Sequence, residues 1–311
     1  MVQEEYVFDD HQHQPKKSSG IGKFIWNSEN REFLGRDGAS WGKITLFYTI
    51  FYTCLGSFFI GLLALFIRFM PVDRPTYIGV DSTMSVRGIN PGLGFRPQID
   101  VEDHLISINP TLAEDSKYGF LKYVRNLENF LNAKYGPVPD EFKGDVIQCN
   151  ANSSYANEMN YGKACEFEPE KEFKNTPCTK ENSYGYNTNQ PCVLVKLNKV
   201  YTYVPDGYPY NGINVNCSGE TSADRDNLKG VRYYSIDGQE STVHGLLDKK
   251  FFPYMGQKAY RAPFIWVKFD VPLNTLVNIE CRADVKNIDT ADRMNRRGQT
   301  KFSLYITNKS N

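Results

Sequence analysis

From Ile44 to Ile67 the chain has no Asp, Glu, Lys, Arg or His. Lys43 and Arg68 close that run at its two ends. An absence of charge over this length excludes a solvated surface helix, and it excludes an ordinary core helix, which keeps a polar stripe. A helix of about 20 apolar residues crosses roughly 30 Å of hydrocarbon. About forty largely polar residues precede the run and no small-residue cleavage pattern follows it, which excludes a cleaved signal peptide. The run is therefore read as a transmembrane helix over residues 44–70.

Histidine is scarce, with four residues in 311. His11 and His13 lie in a polar tail and are read as solvated. Only His104 and His244 follow the membrane run, and a nucleophile triad needs a positioned His. No P-loop and no H-E-x-x-H motif occurs. No C-x-x-C pair occurs either, which argues against a zinc ribbon and against a dithiol redox centre. Excess charge is absent as well: 36 basic side chains balance 36 acidic ones, so nothing points to nucleic acid as a partner. The expectation is a protein that is not an enzyme and holds no cofactor or metal.

What is present is a set of cysteines on one side of the membrane run. Cys54 lies inside it. Cys149, Cys165, Cys178, Cys192, Cys217 and Cys281 all follow it, and residues 1–43 have none. Six cysteines in one domain fit an oxidising compartment. They allow fifteen pairings, among which the sequence alone does not choose. Pairing in order would close two short loops and one long loop, Cys217 to Cys281. The acceptor sequons beginning at Asn152, Asn216 and Asn308 also all follow the run. Together these features predict a type II protein of the plasma membrane, with its N-terminus in the cytoplasm and its C-terminus outside. Flanking charge adds only weak support.

Composition then divides the chain. Residues 1–43 form the cytoplasmic tail, with 1–20 polar and disordered. Residues 21–42 mix aromatic and basic side chains, which suits the membrane–water interface, with Trp26 and Trp41 at headgroup depth. Residues 71–110 carry five prolines and are read as an extracellular connecting segment without regular structure. Residues 111–311 form a disulfide-stapled extracellular domain. Within it, Phe120, Leu121, Val124, Leu127 and Leu131 make an apolar stripe of helical period, ended by Gly136-Pro137. Runs starting at Cys192, Val231, Phe264, Thr275 and Phe302 are rich in β-branched and aromatic residues and read as strands. The fold class is one transmembrane helix plus a mainly-β domain, an antiparallel sandwich with one amphipathic helix and three disulfides.

The membrane run is not built only of Leu, Ile, Val and Phe. At about 100° per residue, Tyr48, Tyr52 and Gly56 share one face, while Ser57, Gly61 and Ala64 fall roughly opposite, with Cys54 nearby. Small side chains let membrane helices approach closely. A phenol within the bilayer is costly unless its hydroxyl finds a partner. The first face is expected to contact a polytopic protein, and the second a further helix or lipid.

These residues also carry a family resemblance. Phe24-Ile-Trp-Asn, Phe33-Leu-Gly-Arg and Ser40-Trp precede one aromatic-rich membrane helix, and Gly185-Tyr, Pro191-Cys-Val, Lys196-Leu-Asn-Lys, Tyr254-Met-Gly and Ile279-Glu-Cys-Arg-Ala follow it in order. From about residue 20 onward the chain resembles the β subunit of Na,K-ATPase. It departs at Asp37, where that family usually has Thr, and in the Asn- and Tyr-rich spacer between Cys149 and Cys165. The resemblance implies a non-catalytic subunit that binds the ten-helix catalytic α subunit of a P-type ATPase, carries it through the secretory pathway and tunes K⁺ affinity. It implies an immunoglobulin-like sandwich with disulfides paired in sequence order. It places α-subunit contacts at Tyr48 and Tyr52, and it allows a small FXYD-type subunit alongside. Two alternatives are an H,K-ATPase β subunit and a type II cell-adhesion glycoprotein.

Overall fold

A computed structural model describes residues 25–27, 31–71, 74–82, 90–112, 119–149, 162–206, 212–291 and 297–308. The tail read as disordered and the sequon Asn152 lie outside these residues. Two compact units emerge, Met1–Pro71 and Val72–Asn311.

The first unit is a short hairpin followed by one long helix. Strands β1 (Trp26–Asn27) and β2 (Glu32–Phe33) pair antiparallel. Helix α1 then runs from Gly38 to Phe69, 32 residues, about 48 Å at 1.5 Å per residue. It is apolar and long enough to cross a membrane, and none of its residues is buried in the chain. It begins six residues before the charge-free run, because Asp37 caps it: the carboxylate accepts from Ser40 N at 3.1 Å.

The second unit is two five-stranded sheets with their connections. In chain order the elements are β3 (Leu93–Arg96), β4 (Leu105–Ile108), α2 (Leu121–Tyr135), β5 (Val146–Ile147), β6 (Ala164–Cys165), α3 (Pro169–Glu172), β7 (Cys192–Leu197), β8 (Gly212–Gly219), α4 (Ser222–Asn227), β9 (Gly230–Tyr234), β10 (Glu240–Ser241), β11 (Gly245–Asp248), β12 (Phe264–Asp270), β13 (Leu276–Asp284) and β14 (Gln299–Ile306). One sheet has the order β10-β9-β12-β7-β3 and the other β11-β8-β13-β14-β4, with β5 and β6 pairing separately. Every pair in the two large sheets is antiparallel except β4 with β14. Those two strands are far apart in sequence, so no tight turn imposes the antiparallel direction on them.

The sheets pack face to face. Phe95 of β3 stacks on Phe302 of β14 with centroids 4.9 Å apart, and Phe269 of β12 meets the same ring at 5.7 Å. The Tyr233 hydroxyl reaches from β9 to the second sheet, accepting from Cys217 N at 2.8 Å and donating to Cys217 O at 3.2 Å.

The outer face of the first sheet is covered too. Phe264 meets Tyr135, Phe167 and Phe173, and Trp266 stacks on Tyr184 at 5.3 Å. Leu127 of α2 is fully buried in this layer. Burial on both faces explains why β7 and β12 read as near-continuous apolar runs. The outer face of the second sheet is instead polar: Asn278, Glu280, Arg282, Lys301 and Ser303 bond to one another there.

Three disulfides join Cys149–Cys165, Cys178–Cys192 and Cys217–Cys281, in sequence order. The third links directly opposed residues of β8 and β13 within one sheet.

One expectation needs correction. Residues 71–110 are not merely connecting chain, because β3 and β4 lie within them and form the edges of the two sheets. Pro91, Pro97 and Pro110 only flank these strands, as suits edge positions. Helix α2, from Leu121 to Tyr135, carries the predicted apolar stripe and ends at Gly136.

Replacing Cys217 and Cys281 together by Ser opens a loop with a sequence separation of 64. The expected loss is about 4 kcal/mol in the chain-entropy model. A denaturant titration of the full chain, followed by fluorescence of the buried Trp266, measures it.

Candidate functional site

No cluster of catalytic type organises the described residues. No group of three or more His, Cys, Asp or Glu among them is placed to hold a metal ion. Two motif-like spacings, counted as absent in the sequence reading, do occur and have structural explanations. Gly38-Ala-Ser-Trp-Gly42 matches G-x-S-x-G, but Ser40 lies in the first turn of α1, its amide bound to Asp37. Asp224-Arg-Asp226 matches the Asp-x-Asp of nucleotide-sugar transferases. There Asp224 completes a capping box with Thr221 at the start of α4, and it accepts from Asn278 N at 2.9 Å.

The distinctive surface is that of α1. Tyr48 and Tyr52 are one turn apart and their rings stack at 5.9 Å. Phe47 and Phe51 stack beside them at 6.2 Å, and each of these meets a neighbouring tyrosine edge-on at 5.4 Å. The four rings form one continuous aromatic surface. The sequence reading found the tyrosines but not the phenylalanines, since Phe is unremarkable in a lipid-facing helix.

Of the hydroxyl groups in the charge-free run, those of Thr49 and Thr53 are bonded within the helix, while those of Thr45, Tyr48, Tyr52 and Ser57 are not. Thr49 donates to Thr45 O at 2.8 Å and Thr53 to Thr49 O at 2.7 Å, so these are satisfied within the helix. The hydroxyls of Tyr48 and Tyr52 are too far from their own backbone and have no hydrogen-bond partner among the described residues. Both tyrosines are exposed, at 50% and 61%.

Gly56 lies about 40° round from Tyr52, at the edge of the aromatic surface and beside the threonines. A Cβ added at Gly56 or at Gly61 would touch nothing in the chain. Neither glycine is therefore required by the chain's own packing. Ser57, Gly61 and Ala64 share the other face, and Cys54 is free and exposed.

Below the aromatic surface the hairpin is fastened to α1. The Trp41 indole donates to Phe33 O at 2.8 Å, and its ring lies 5.8 Å from that of Phe33. Trp26 is exposed.

Of the sequons, Asn216 is exposed on β8 just beyond the residues paired with β11. Asn308 is exposed after β14 and accepts from Asn274 Nδ2 at 3.0 Å.

A family described as Sodium / potassium ATPase beta chain matches residues 11–302. The chain belongs to that family. The match spans α1 and nearly the whole of the second unit. Relatives include a probable sodium/potassium-transporting ATPase subunit beta-3 of Caenorhabditis briggsae, 30% identical over 92% of this chain and 86% of its own length. The subunit beta-2 of Drosophila melanogaster is 30% identical, covering 94% and 93%. The human subunit beta-2 is 30% identical, covering 91% and 93%. The family is an accessory subunit of the pump, not its catalytic chain. These relatives give no support to the H,K-ATPase or adhesion alternatives.

Membership gives the sequence motifs a physical meaning. Gly185 adopts φ +74°, and a Cβ there would lie 2.2 Å from Gln190 O, so only glycine fits that turn. Asp37 caps α1, a position that Thr also fills well.

Asp37→Ala should therefore weaken the start of α1 by about 1 kcal/mol, while Asp37→Thr leaves it nearly unchanged. Hydrogen exchange at the Ser40 amide is the readout, with faster exchange expected in the Ala variant alone.

Proposed function

We propose that this β chain grips the catalytic α subunit of a P-type Na⁺/K⁺ pump inside the bilayer, through Tyr48, Tyr52 and Gly56. The observation that carries this is the pair of stacked tyrosines whose hydroxyls lack partners on an otherwise uncovered helix. Hydrocarbon offers a phenol no acceptor, and leaving a hydroxyl unpaired costs on the order of 1–3 kcal/mol. A partner helix with an exposed carbonyl or polar side chain removes that cost. Gly56 beside Tyr52 lets a partner backbone approach closely.

The opposite face, Ser57, Gly61 and Ala64, suits a second helix of the small FXYD type or membrane lipid. Through such contacts the subunit assembles with α, stabilises it during passage through the secretory pathway and modulates its K⁺ affinity. The orientation is N-terminus in the cytoplasm, in the plasma membrane. In its favour, all three disulfides and all three sequons follow α1. The exposed Trp26 and the hairpin it belongs to sit at the cytoplasmic interface, with Trp41 above them. Glycans attach at Asn152, Asn216 and Asn308.

Tyr48→Leu with Tyr52→Leu should sharply reduce co-purification of the α chain in mild detergent. Tyr48→Phe with Tyr52→Phe should reduce it less, because stacking survives. Undiminished co-purification by the Leu pair would remove this interface. Separately, Asn216→Gln should increase gel mobility by one glycan, and an unchanged mobility would show that this sequon is unoccupied.

A further inference from the structure

On the outer face of the first sheet, basic side chains lie against the edge of the aromatic cover. Gly94 of β3 pairs with Lys196 of β7, which pairs in turn with Phe264 of β12, so Lys196 points outward from the middle of three strands. Two residues along β3, Arg96 points the same way. Phe130 of α2 lies over both. The Arg96 guanidinium is 5.1 Å from its ring centroid and the Lys196 ammonium 5.7 Å. Lys134, one helical turn after Phe130, adds a third positive charge. Lys199, three residues after Lys196, adds a fourth, held over Tyr254 at 4.9 Å and Tyr260 at 5.0 Å.

Arg96, Lys134 and Lys199 thus all lie near enough for their charges to act on Lys196, in a chain whose net charge is zero. Like charges at short range repel, and partial burial strengthens the repulsion. Proteins normally resolve such a cluster with carboxylates. Among the described residues, none of the four makes an ion pair, and the half-buried Lys196 ammonium makes no hydrogen bond. Arg96 donates through Nη1 to Phe95 O and Gln98 Oε1, both at 2.8 Å, and these neutral acceptors cancel no charge. Burial, followed by the charges of Arg96, Lys199 and Lys134, pulls Lys196 down to about 8. Burial and Lys134 lower Lys199 too. The nearby acid on α2, Glu128, is engaged with Lys180 at 3.3 Å. Cation–π contacts with Phe130 hold Arg96 and Lys196 in place without neutralising them.

We propose that Arg96, Lys134, Lys196 and Lys199 form a binding site for a multiply charged oxyanion of the sulfate or phosphate class. The ligand supplies the counter-charge that the chain does not. A tetrahedral oxyanion presents several acceptors to the donors of Arg96 on β3, Lys196 on β7, Lys134 on α2 and Lys199 just after β7. The same chemistry has two sources outside a cell, the free inorganic ion and a sulfate ester carried on a sugar chain. The four residues all belong to the second unit and take no part in the proposed grip on the α subunit.

Calorimetric titration of the full-length chain in detergent micelles tests this at constant ionic strength, which removes the general effect of salt. One arm uses inorganic sulfate and the other a sulfated oligosaccharide from heparin. Saturable binding in the first arm supports the free ion, and binding in the second alone supports the sugar-borne ester. In either case Lys196→Met should weaken binding about tenfold or more, the loss of one charge-assisted hydrogen bond, while Lys196→Arg retains most of it. Lys134→Met, at an exposed helix position, should also weaken binding and covers the case in which the strand variant fails to fold. No saturable binding in either arm overturns the proposal, as does binding that neither Met variant weakens.

Discussion

A hydroxyl group placed in hydrocarbon must find an acceptor, and Thr49, Thr53, Tyr48 and Tyr52 on α1 meet that demand in different ways. The backbone meets it by remaining helical without interruption from Gly38 to Phe69. Asp37 supports the first turn, where helical donors otherwise go unpaired. Thr49 and Thr53 meet it by turning back to carbonyls one turn earlier. Tyr48 and Tyr52 cannot, because a phenol holds its hydroxyl too far from its own backbone. Their rings stack instead and extend the aromatic surface with Phe47 and Phe51. What remains is an aromatic surface carrying two phenol hydroxyls without partners among the described residues, with the unbonded hydroxyls of Thr45 and Ser57 elsewhere on the helix.

The second unit obeys a different constraint. Its central strands β7 and β12 are buried on both sides, by the facing sheet and by the aromatic layer of Tyr135, Phe167, Phe173 and Tyr184. Cys178–Cys192 ties the segment carrying part of that layer to the first residue of β7. Cys149–Cys165 staples β6 to the end of β5, and Cys217–Cys281 locks two neighbouring strands of the second sheet in register. The polar stretch between Cys165 and Cys192 is held mainly by these covalent links and by the few aromatic residues it contributes. The type I′ geometry of Asp237-Gly238, both at positive φ, reverses the chain between β9 and β10.

Legibility in the sequence followed burial. β7 was readable residue for residue, because a strand apolar on both faces is a continuous run. β12 and β13 were placed nearly as well. β8 was not seen: Gly212-Ile-Asn-Val-Asn-Cys-Ser-Gly has little intrinsic strand preference, and pairing with β11 and β13 on its two sides makes it a strand. β3, β4 and β11 are four residues each, too short for alternation to register, and two of them stand among prolines. On α1 the tyrosine face was legible from period alone. The Trp41–Phe33 hydrogen bond was not, since it depends on a hairpin of two-residue strands. The cluster around Lys196 was hidden for another reason: its four cations are scattered from Arg96 to Lys199 and come near one another only in the folded chain.

The central claim is that the aromatic surface of α1 faces the catalytic subunit. The most direct measurement places a photoreactive side chain at position 52 and, separately, at Leu65, which lies more than 100° round the helix. Each variant is then irradiated in native membranes. The account predicts a covalent adduct with the α chain from position 52 and mainly lipid adducts from position 65. Equal adducts from both positions, or an α adduct from position 65 alone, would contradict it.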